Sequence, residues 1–301
     1  MVTAAGELSA GLGEQGYVTD EDTALTVALA DLLGRPLLVE GPPGTGKTEL
    51  ARAVAAVRGL ELVRLQCYEG LDEGKALYDW DYRKQLLRIQ AERGDDTGRA
   101  WKQVETDVFG ADFLLPRPLL RAITSPERVV LLIDEVDRLE PEAEALLLEV
   151  LSDFQVSIPE LGTVRATTTP LVLLTSNGSR ELSEALKRRC LYLHLGHPDE
   201  ARERRIISTR LPGIDERLAG QVARALRFLR DLDLRKAPSI AEGIDWARAL
   251  LAMGVDELDD ALLLRTSNIL LKNKSDIDAL AAELAARDAG SRGDEHMAVT
   301  G

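Results

Sequence analysis

Short, continuously apolar runs alternate with stretches of helical periodicity over the first two thirds of the chain. Pro36-Leu37-Leu38-Val39-Glu40, Leu60-Glu61-Leu62-Val63-Arg64-Leu65, Val129-Val130-Leu131-Leu132-Ile133, Leu171-Val172-Leu173-Leu174-Thr175 and Leu191-Tyr192-Leu193-His194-Leu195 are too short for helices. Most are apolar at successive positions, as strands buried on both faces of a parallel sheet should be. Between them, Thr48–Arg58 reads as a helix stopped by Gly59, and Pro141 as the first position of a helix over Glu142–Leu151. Thr19 is the expected N-cap of an earlier helix, with acid in its first turn and Leu25, Ala28, Leu29 and Leu32 at helical spacing. Gln155–Ile158 and Thr163–Ala166 flank Pro-Glu-Leu-Gly, a hairpin pattern. In the region from Leu71 to Leu120, a helix is expected over Lys84–Glu92, a loop over Gly94–Gly98 and a helix over Ala100–Phe109.

From Pro198 the pattern is helical alone. Leu218, Val222, Leu226 and Leu229 share one face, and Ser239-Ile240-Ala241-Glu242 is a capping box. Two further helices are expected near Leu258–Lys272 and Ser275–Arg287. The fold class implied is α/β: a parallel sheet flanked by helices, followed by a small all-helical lid. The expected domains are a loose Gly/Ala-rich terminus over 1–16, a nucleotide-binding α/β domain over 17–197, a helical lid over 198–287 and a frayed tail over 288–301.

Composition narrows the possible functions. Of 301 residues, 45% are apolar, enough for a core, and 29% are charged. No apolar run approaches the ~18 residues of a membrane span, and the start of the chain lacks the basic and apolar segments of a signal peptide. Two cysteines, Cys67 and Cys190, do not make a disulfide framework, which points to a reducing cytoplasm. A formal net charge of −14 argues against broad nucleic-acid binding, which needs Lys and Arg to neutralise phosphates.

The chemistry is concentrated in Gly41-Pro42-Pro43-Gly44-Thr45-Gly46-Lys47-Thr48, which fits the P-loop pattern G-x-x-x-x-G-K-[ST]. Glycines let successive N–H groups turn inward on an anion. Lys47 adds a point charge for the β- and γ-phosphates of ATP, and the Thr48 hydroxyl can ligate Mg²⁺. The strand before the loop and the helix after it make a chance glycine turn a poor alternative. The strand Val129–Ile133 runs into Asp134-Glu135. Asp134 suits Mg²⁺ and Glu135 suits polarisation of an attacking water; the alternative is two acids that merely end a strand. Asn177, ending the next strand, could position that water or simply turn the chain. Arg188-Arg189 end a helix that starts near Glu181 and could reach a neighbouring subunit's γ-phosphate, or could only complement the helix dipole. Tyr17-Val18 could hold an adenine or pack at the surface. The aromatics between Tyr68 and Tyr82 could face a partner or pack on the core. Cys190, His194 and His197 suggest a metal site but lack a fourth ligand.

These motifs resemble the AAA+ ATPases over roughly Tyr17–Leu284. More narrowly they resemble the MoxR branch and, within it, the carbon monoxide dehydrogenase maturation ATPases. The narrowest likeness is Leu65-Gln66-Cys67-Tyr68-Glu69-Gly70-Leu71-Asp72 through Trp80-Asp81-Tyr82, shared with nitric-oxide-reductase activation ATPases. The resemblance implies ATP hydrolysis with Mg²⁺ by a hexameric homo-oligomeric ring. It implies Asn177 as sensor 1, Arg189 as the trans-acting arginine with Arg188 as the alternative, and Arg235 as sensor 2 with Lys236 adjacent. It implies that Gln66 restrains Glu135, that 155–166 is a hairpin insertion and that 94–118 is a helix-2 insertion. The partners implied are a protein with a von Willebrand A domain and a client metalloenzyme, a molybdenum enzyme like carbon monoxide dehydrogenase. The rival functions are a DNA-acting motor or loader and a nucleotide switch without turnover.

Overall fold

The structure, a computed structural model, describes residues 2–93 and 109–298. It forms two compact units. The first takes the chain up to Gln15, then Thr19–Gly41 and Lys47–His194; the second takes Gly16–Val18, Pro42–Gly46 and the chain from Leu195.

The first unit begins with α1 (Val2–Glu14) and α2 (Glu21–Leu33), then β1 (Leu37–Glu40), α3 (Lys47–Arg58) and β2 (Glu61–Gln66). Next come α4 (Glu73–Ala76), β3 (Tyr78–Trp80), α5 (Tyr82–Arg93), β4 (Leu114–Pro116), α6 (Pro118–Thr124) and β5 (Val129–Asp134). The unit closes with α7 (Pro141–Asp153), the hairpin of β6 (Gln155–Ile158) and β7 (Gly162–Arg165), β8 (Leu171–Ser176), α8 (Glu184–Arg189) and β9 (Leu191–His194). Five strands form one parallel sheet in the order β2-β5-β8-β1-β9. Every residue of β5 and β8 is buried, which is why those segments carry almost no polar residues until their last positions. A fully buried leucine such as Leu132 or Leu173 contributes about 1.5–3 kcal/mol of transfer free energy.

Several local expectations are corrected. The terminus expected to be loose is helix α1: Ala5, Leu8 and Leu12 are buried, and Gly11 lets the helix approach Val57 of α3 so closely that a Cβ there would lie 2.8 Å from its Cγ1. Gly11, one of the glycines that suggested disorder, permits this contact. The N-cap of α2 is Asp20, not Thr19: its carboxylate accepts the Thr23 N–H. Residues 94–108, which hold the expected loop and most of the Ala100–Phe109 helix, lie outside the described residues. The sequence pattern also missed the short antiparallel pair β3–β4 and helix α6; β4 and α6 carry Pro116 and Pro118. Trp80 is buried and meets Tyr78 and Phe109 edge-on, with ring centroids 6.2 and 5.4 Å away. Tyr68 and Tyr82 are exposed, so the aromatic segment divides between core and surface.

The second unit is helical: α9 (Glu200–Arg210), α10 (Glu216–Asp231), α11 (Ile240–Ala252), α12 (Asp260–Thr266) and α13 (Lys274–Ala298). The tail expected to fray from residue 288 continues α13 to Ala298. Leu218, Val222, Leu226 and Leu229 are buried together with Trp246 and Leu250. Gly243 permits the close crossing of α11 on α10, since a Cβ there would fall 2.3 Å from a Leu226 methyl. The capping box at Ser239 and Glu242 is formed. Inside this unit Arg230 grips Glu203 with two hydrogen bonds, 3.0 and 2.7 Å, and gives a third to the Pro238 carbonyl. Burial pushes the Glu203 carboxyl up and Arg230 only partly holds it back.

Replacing Glu203 by Leu would leave the Arg230 guanidinium buried without its counter-ion, so we expect a loss of about 3 kcal/mol in chemical denaturation. Cys67 and Cys190 are both free and buried, and burial pushes each thiol up to about 12. At pH 8 roughly one thiol in 10⁴ is then ionised. Neither should react with Ellman's reagent until denaturant is added, when both should.

Candidate nucleotide site

The carboxyl ends of β1, β8, β5 and β2 lie side by side, and the sequence-predicted Lys47, Thr48, Gln66, Asp134, Glu135 and Asn177 all lie at that edge. Parallel strands all point their last residues at one edge, so a loop after any strand meets the loops after its neighbours. The loop from Gly41 to Thr48 leaves β1 at this edge, and its first N–H donates to the Ser176 carbonyl of β8 at 3.2 Å. Gly44 and Gly46 take φ values of +75° and +91°, a region closed to side chains other than at a cost. Gly44 also lies against the start of α11, where a Cβ would come 2.5 Å from that of Ser239. Gly46 lies beside the Tyr17 ring, and both Tyr17 and Val18 are buried.

Lys47 opens α3 and is 7% exposed. Its ammonium donates to the Gly41 carbonyl at 2.7 Å. Burial pulls its pKa below the ordinary lysine value, against the opposing pull of Asp137, Asp134, Glu135 and Glu40. A polyphosphate at the loop would add negative charge beside this buried cation.

Asp134 is 2% exposed, and its carboxylate is met from three directions. Thr48 donates to Oδ1 at 2.9 Å, Thr175 donates to Oδ1 at 2.5 Å, and Arg64 donates to Oδ2 through Nε at 3.1 Å and Nη2 at 2.5 Å. Mg²⁺ takes hard oxygens in an octahedron at ~2.0–2.1 Å, which puts adjacent ligand oxygens about 2.9 Å apart. The Thr48 hydroxyl and Asp134 carboxylate therefore fit that ion in both chemistry and spacing.

Glu135 follows with φ +59°, one of two non-glycine residues in the left-handed region among the described residues. Such a conformation costs of order 1 kcal/mol and recurs where a side chain must be aimed. The Thr175 hydroxyl holds it by accepting the Glu135 N–H at 2.9 Å. Gln66, ending β2, donates its amide to Glu135 Oε2 at 3.2 Å, and Arg138 donates to the same oxygen at 2.9 Å. Asn177 follows β8 at the same edge. Asp137 is tied to the next turn by the N–H and hydroxyl of Ser179, at 3.0 and 2.5 Å. Burial pushes the Asp137 carboxyl up, but the bonds from Ser179 and the Asn177 backbone outweigh it and leave it below the usual range.

Arg188 and Arg189 end the six-residue helix α8, shorter at its start than the expected beginning near Glu181. Arg35, just before β1, donates to the Arg188, Arg189 and Cys190 carbonyls at 2.6, 3.2 and 3.5 Å, satisfying acceptors that a helix end leaves open. The Arg189 side chain donates to Ser152 Oγ at 2.7 Å and to the Ala185 carbonyl at 3.1 Å. Among the described residues the Arg188 guanidinium has no hydrogen-bond or ion-pair partner. Arg235 belongs to the helical unit; its side chain is exposed and its N–H donates to Asp276 Oδ1 at 3.0 Å, with the Lys236 N–H on Oδ2 at 3.4 Å. Among the described residues no three His, Cys, Asp or Glu side chains are grouped to hold a metal, so Cys190, His194 and His197 form no such site.

Sequence reasoning overlooked Arg64, Thr175 and Arg35. Arg64 was readable in principle: two residues before Gln66 on a strand, it must share Gln66's face. Thr175 and Arg35 act through pairings that only the sheet order reveals.

Comparison with known proteins agrees with this geometry. The family described as ATPase family associated with various cellular activities (AAA) matches residues 37–194, more than half of the chain. An uncharacterised protein of Staphylococcus aureus (strain bovine RF122) is 27% identical over 234 residues, covering 74% of this chain and 78% of its own. Mouse nuclear valosin-containing protein-like is 25% identical over 182 residues, 58% of this chain but 17% of that protein. A point mutant of Thermotoga maritima RuvB superposes with a TM-score of 0.50 at 21% identity, covering 82% of this chain and 66% of its own, a likeness of fold alone. With its P-loop, its acid-ended β5 and its matched span in agreement, the chain belongs to the AAA ATPase family.

Proposed function

We propose that this protein is a Mg²⁺-dependent ATPase that assembles as a ring, hexameric by resemblance, and works on a partner protein in the cytoplasm. The observation that carries the reading is the meeting of Lys47, Thr48, Asp134 and Glu135 at one edge of the sheet, with Thr48 Oγ1 2.9 Å from Asp134. In this reading the loop from Gly41 to Gly46 wraps the phosphates with its N–H groups, and Lys47 sits on the β- and γ-phosphates. Thr48 and Asp134 hold Mg²⁺, which when bound neutralises charge on the phosphate oxygens. Glu135 polarises the attacking water and Asn177 helps position it. Arg235 reports the γ-phosphate from the helical unit. Arg189 reaches the γ-phosphate of a neighbouring copy, exchanging Ser152 for phosphate oxygens. Arg188 is the rival for that role, favoured by its lack of a partner among the described residues.

The client reading rests on the motif run from Leu65 to Tyr82. It makes the work a remodelling or activation of a metalloenzyme, a molybdenum enzyme like carbon monoxide dehydrogenase, with a von Willebrand A domain protein as co-partner. A DNA-acting motor is the rival, and the net charge of −14 speaks against it. Glu135→Gln, which should bind ATP and stall, is the tool. Its ATP-dependent retention of a metalloenzyme or a von Willebrand A protein would support the client reading. Retention of DNA-bound repair or replication proteins would replace it with the motor reading.

Glu135→Gln should lower kcat by roughly 10²–10⁴ with ATP affinity unchanged in calorimetry. Arg189→Ala should lower kcat by about 10³ or more, again with ATP affinity intact, and Arg188→Ala should do less. Mixing Arg189→Ala with Lys47→Ala subunits should restore part of the turnover, because each supplies what the other lacks. If Arg188→Ala carries the loss instead, the two roles exchange. If wild-type turnover per subunit is the same at every dilution, neither arginine acts across subunits.

A further inference from the structure

The Arg64 guanidinium joins the two acids at the end of β5. Arg64 and Gln66 lie on one face of β2, and Gln66 is in register with Asp134 on β5. The guanidinium places Nε and Nη2 on Asp134 Oδ2, at 3.1 and 2.5 Å, and Nη2 also donates to Gln66 Oε1. The same Gln66 amide then donates from Nε2 to Glu135 Oε2 at 3.2 Å. The chain Asp134–Arg64–Gln66–Glu135 is thus continuous, with one side chain per link. Its ends are the two groups assigned above to Mg²⁺ and to water.

The link is built to be released. The Asp134 carboxylate is buried and needs a positive charge beside it; the Arg64 side chain is 42% exposed, so its charge has solvent to move into. A divalent cation on either oxygen of Asp134 would stand within a few ångströms of this guanidinium, and the two would repel strongly at such range. When Gln66 loses its bond from Arg64, its amide is left with one fixed partner fewer and can turn away from Glu135.

We infer that Arg64 is a positioning residue, the built-in counter-ion of Asp134 in the metal-free protein, which competes with Mg²⁺ for that carboxylate and, when displaced, loosens the Gln66 tie on Glu135. This rests on the reading of Asp134 as the Mg²⁺ carboxylate. The consequence is that the protein's own Arg64 competes with Mg²⁺, so removing the guanidinium should strengthen metal-dependent nucleotide binding rather than weaken it.

The test is a Mg²⁺ titration of fluorescent-ATP binding to full-length protein, with wild type, Arg64→Ala, Arg64→Lys and Gln66→Ala compared. In Arg64→Ala the half-saturating Mg²⁺ concentration should fall about tenfold, the size of an ordinary coupling between two ligands of one group. Binding in EDTA should not change with it. Arg64→Lys keeps the charge opposite Asp134 and should stay near wild type; if Arg64→Ala does not fold, an uncharged polar variant carries the test. In that case Arg64→Gln, uncharged and still polar, should show the fall. Gln66→Ala, which does not touch Asp134, should leave the Mg²⁺ midpoint in place. A midpoint that stays put in Arg64→Ala, or that rises, overturns the inference. A wild-type protein whose nucleotide binding ignores Mg²⁺ altogether would instead remove the reading of Asp134 on which it rests.

Discussion

A carboxylate placed almost wholly out of water has to be answered on every side, and the site is arranged around the answer to Asp134. Thr48 comes from α3, Thr175 from β8 and Arg64 from β2, so three elements are fixed by their bonds to one group. Because Thr48 adjoins Lys47, the same bond sets where the ammonium stands. Because Thr175 also accepts the Glu135 N–H, it sets where the next acid turns. The sheet supplies the ends of the strands; Asp134 determines how the side chains at those ends are shared out.

The helical unit follows a comparable rule at a buried pair. Arg230 takes both oxygens of Glu203 and also the Pro238 carbonyl, which steadies the turn just before the capping box at Ser239. Asp276 does the same for the Arg235 and Lys236 N–H groups. In one case a buried acid holds loop backbone directly, in the other it holds the arginine that does, where no ladder of hydrogen bonds can. The loop carrying Arg235 is therefore held at both its ends by side chains from other helices.

Much of this was legible in the chain because the signals were local. Continuous apolar runs marked the central strands, the glycine spacing marked the phosphate loop, and Pro141 and Ser239 marked helix starts. Illegible features depended on partners distant in sequence. Helix α1 was hidden because glycine reads as disorder unless one knows that Val57 lies against Gly11. The pair β3–β4 was hidden because its strands are three residues each and one ends in Pro116. At the site, Lys47, Thr48, Asp134 and Glu135 could be named from spacing, whereas Thr175 matters only because β8 lies beside β5, and Arg35 only because β9 lies beside β1.

The left-handed backbone at Glu135 has a further consequence for how this sequence can change. Glycine there would relieve the strain and fold at least as well, and asparagine would tolerate the conformation better than most residues. Selection for heat resistance alone would thus be drawn toward replacing the side chain that the proposed function assigns to the attacking water. On the proposed function the position works as a gauge: a chain that keeps Glu135 keeps a locally unfavourable conformation for the sake of its chemistry, and a chain that has relaxed to glycine has stopped needing it.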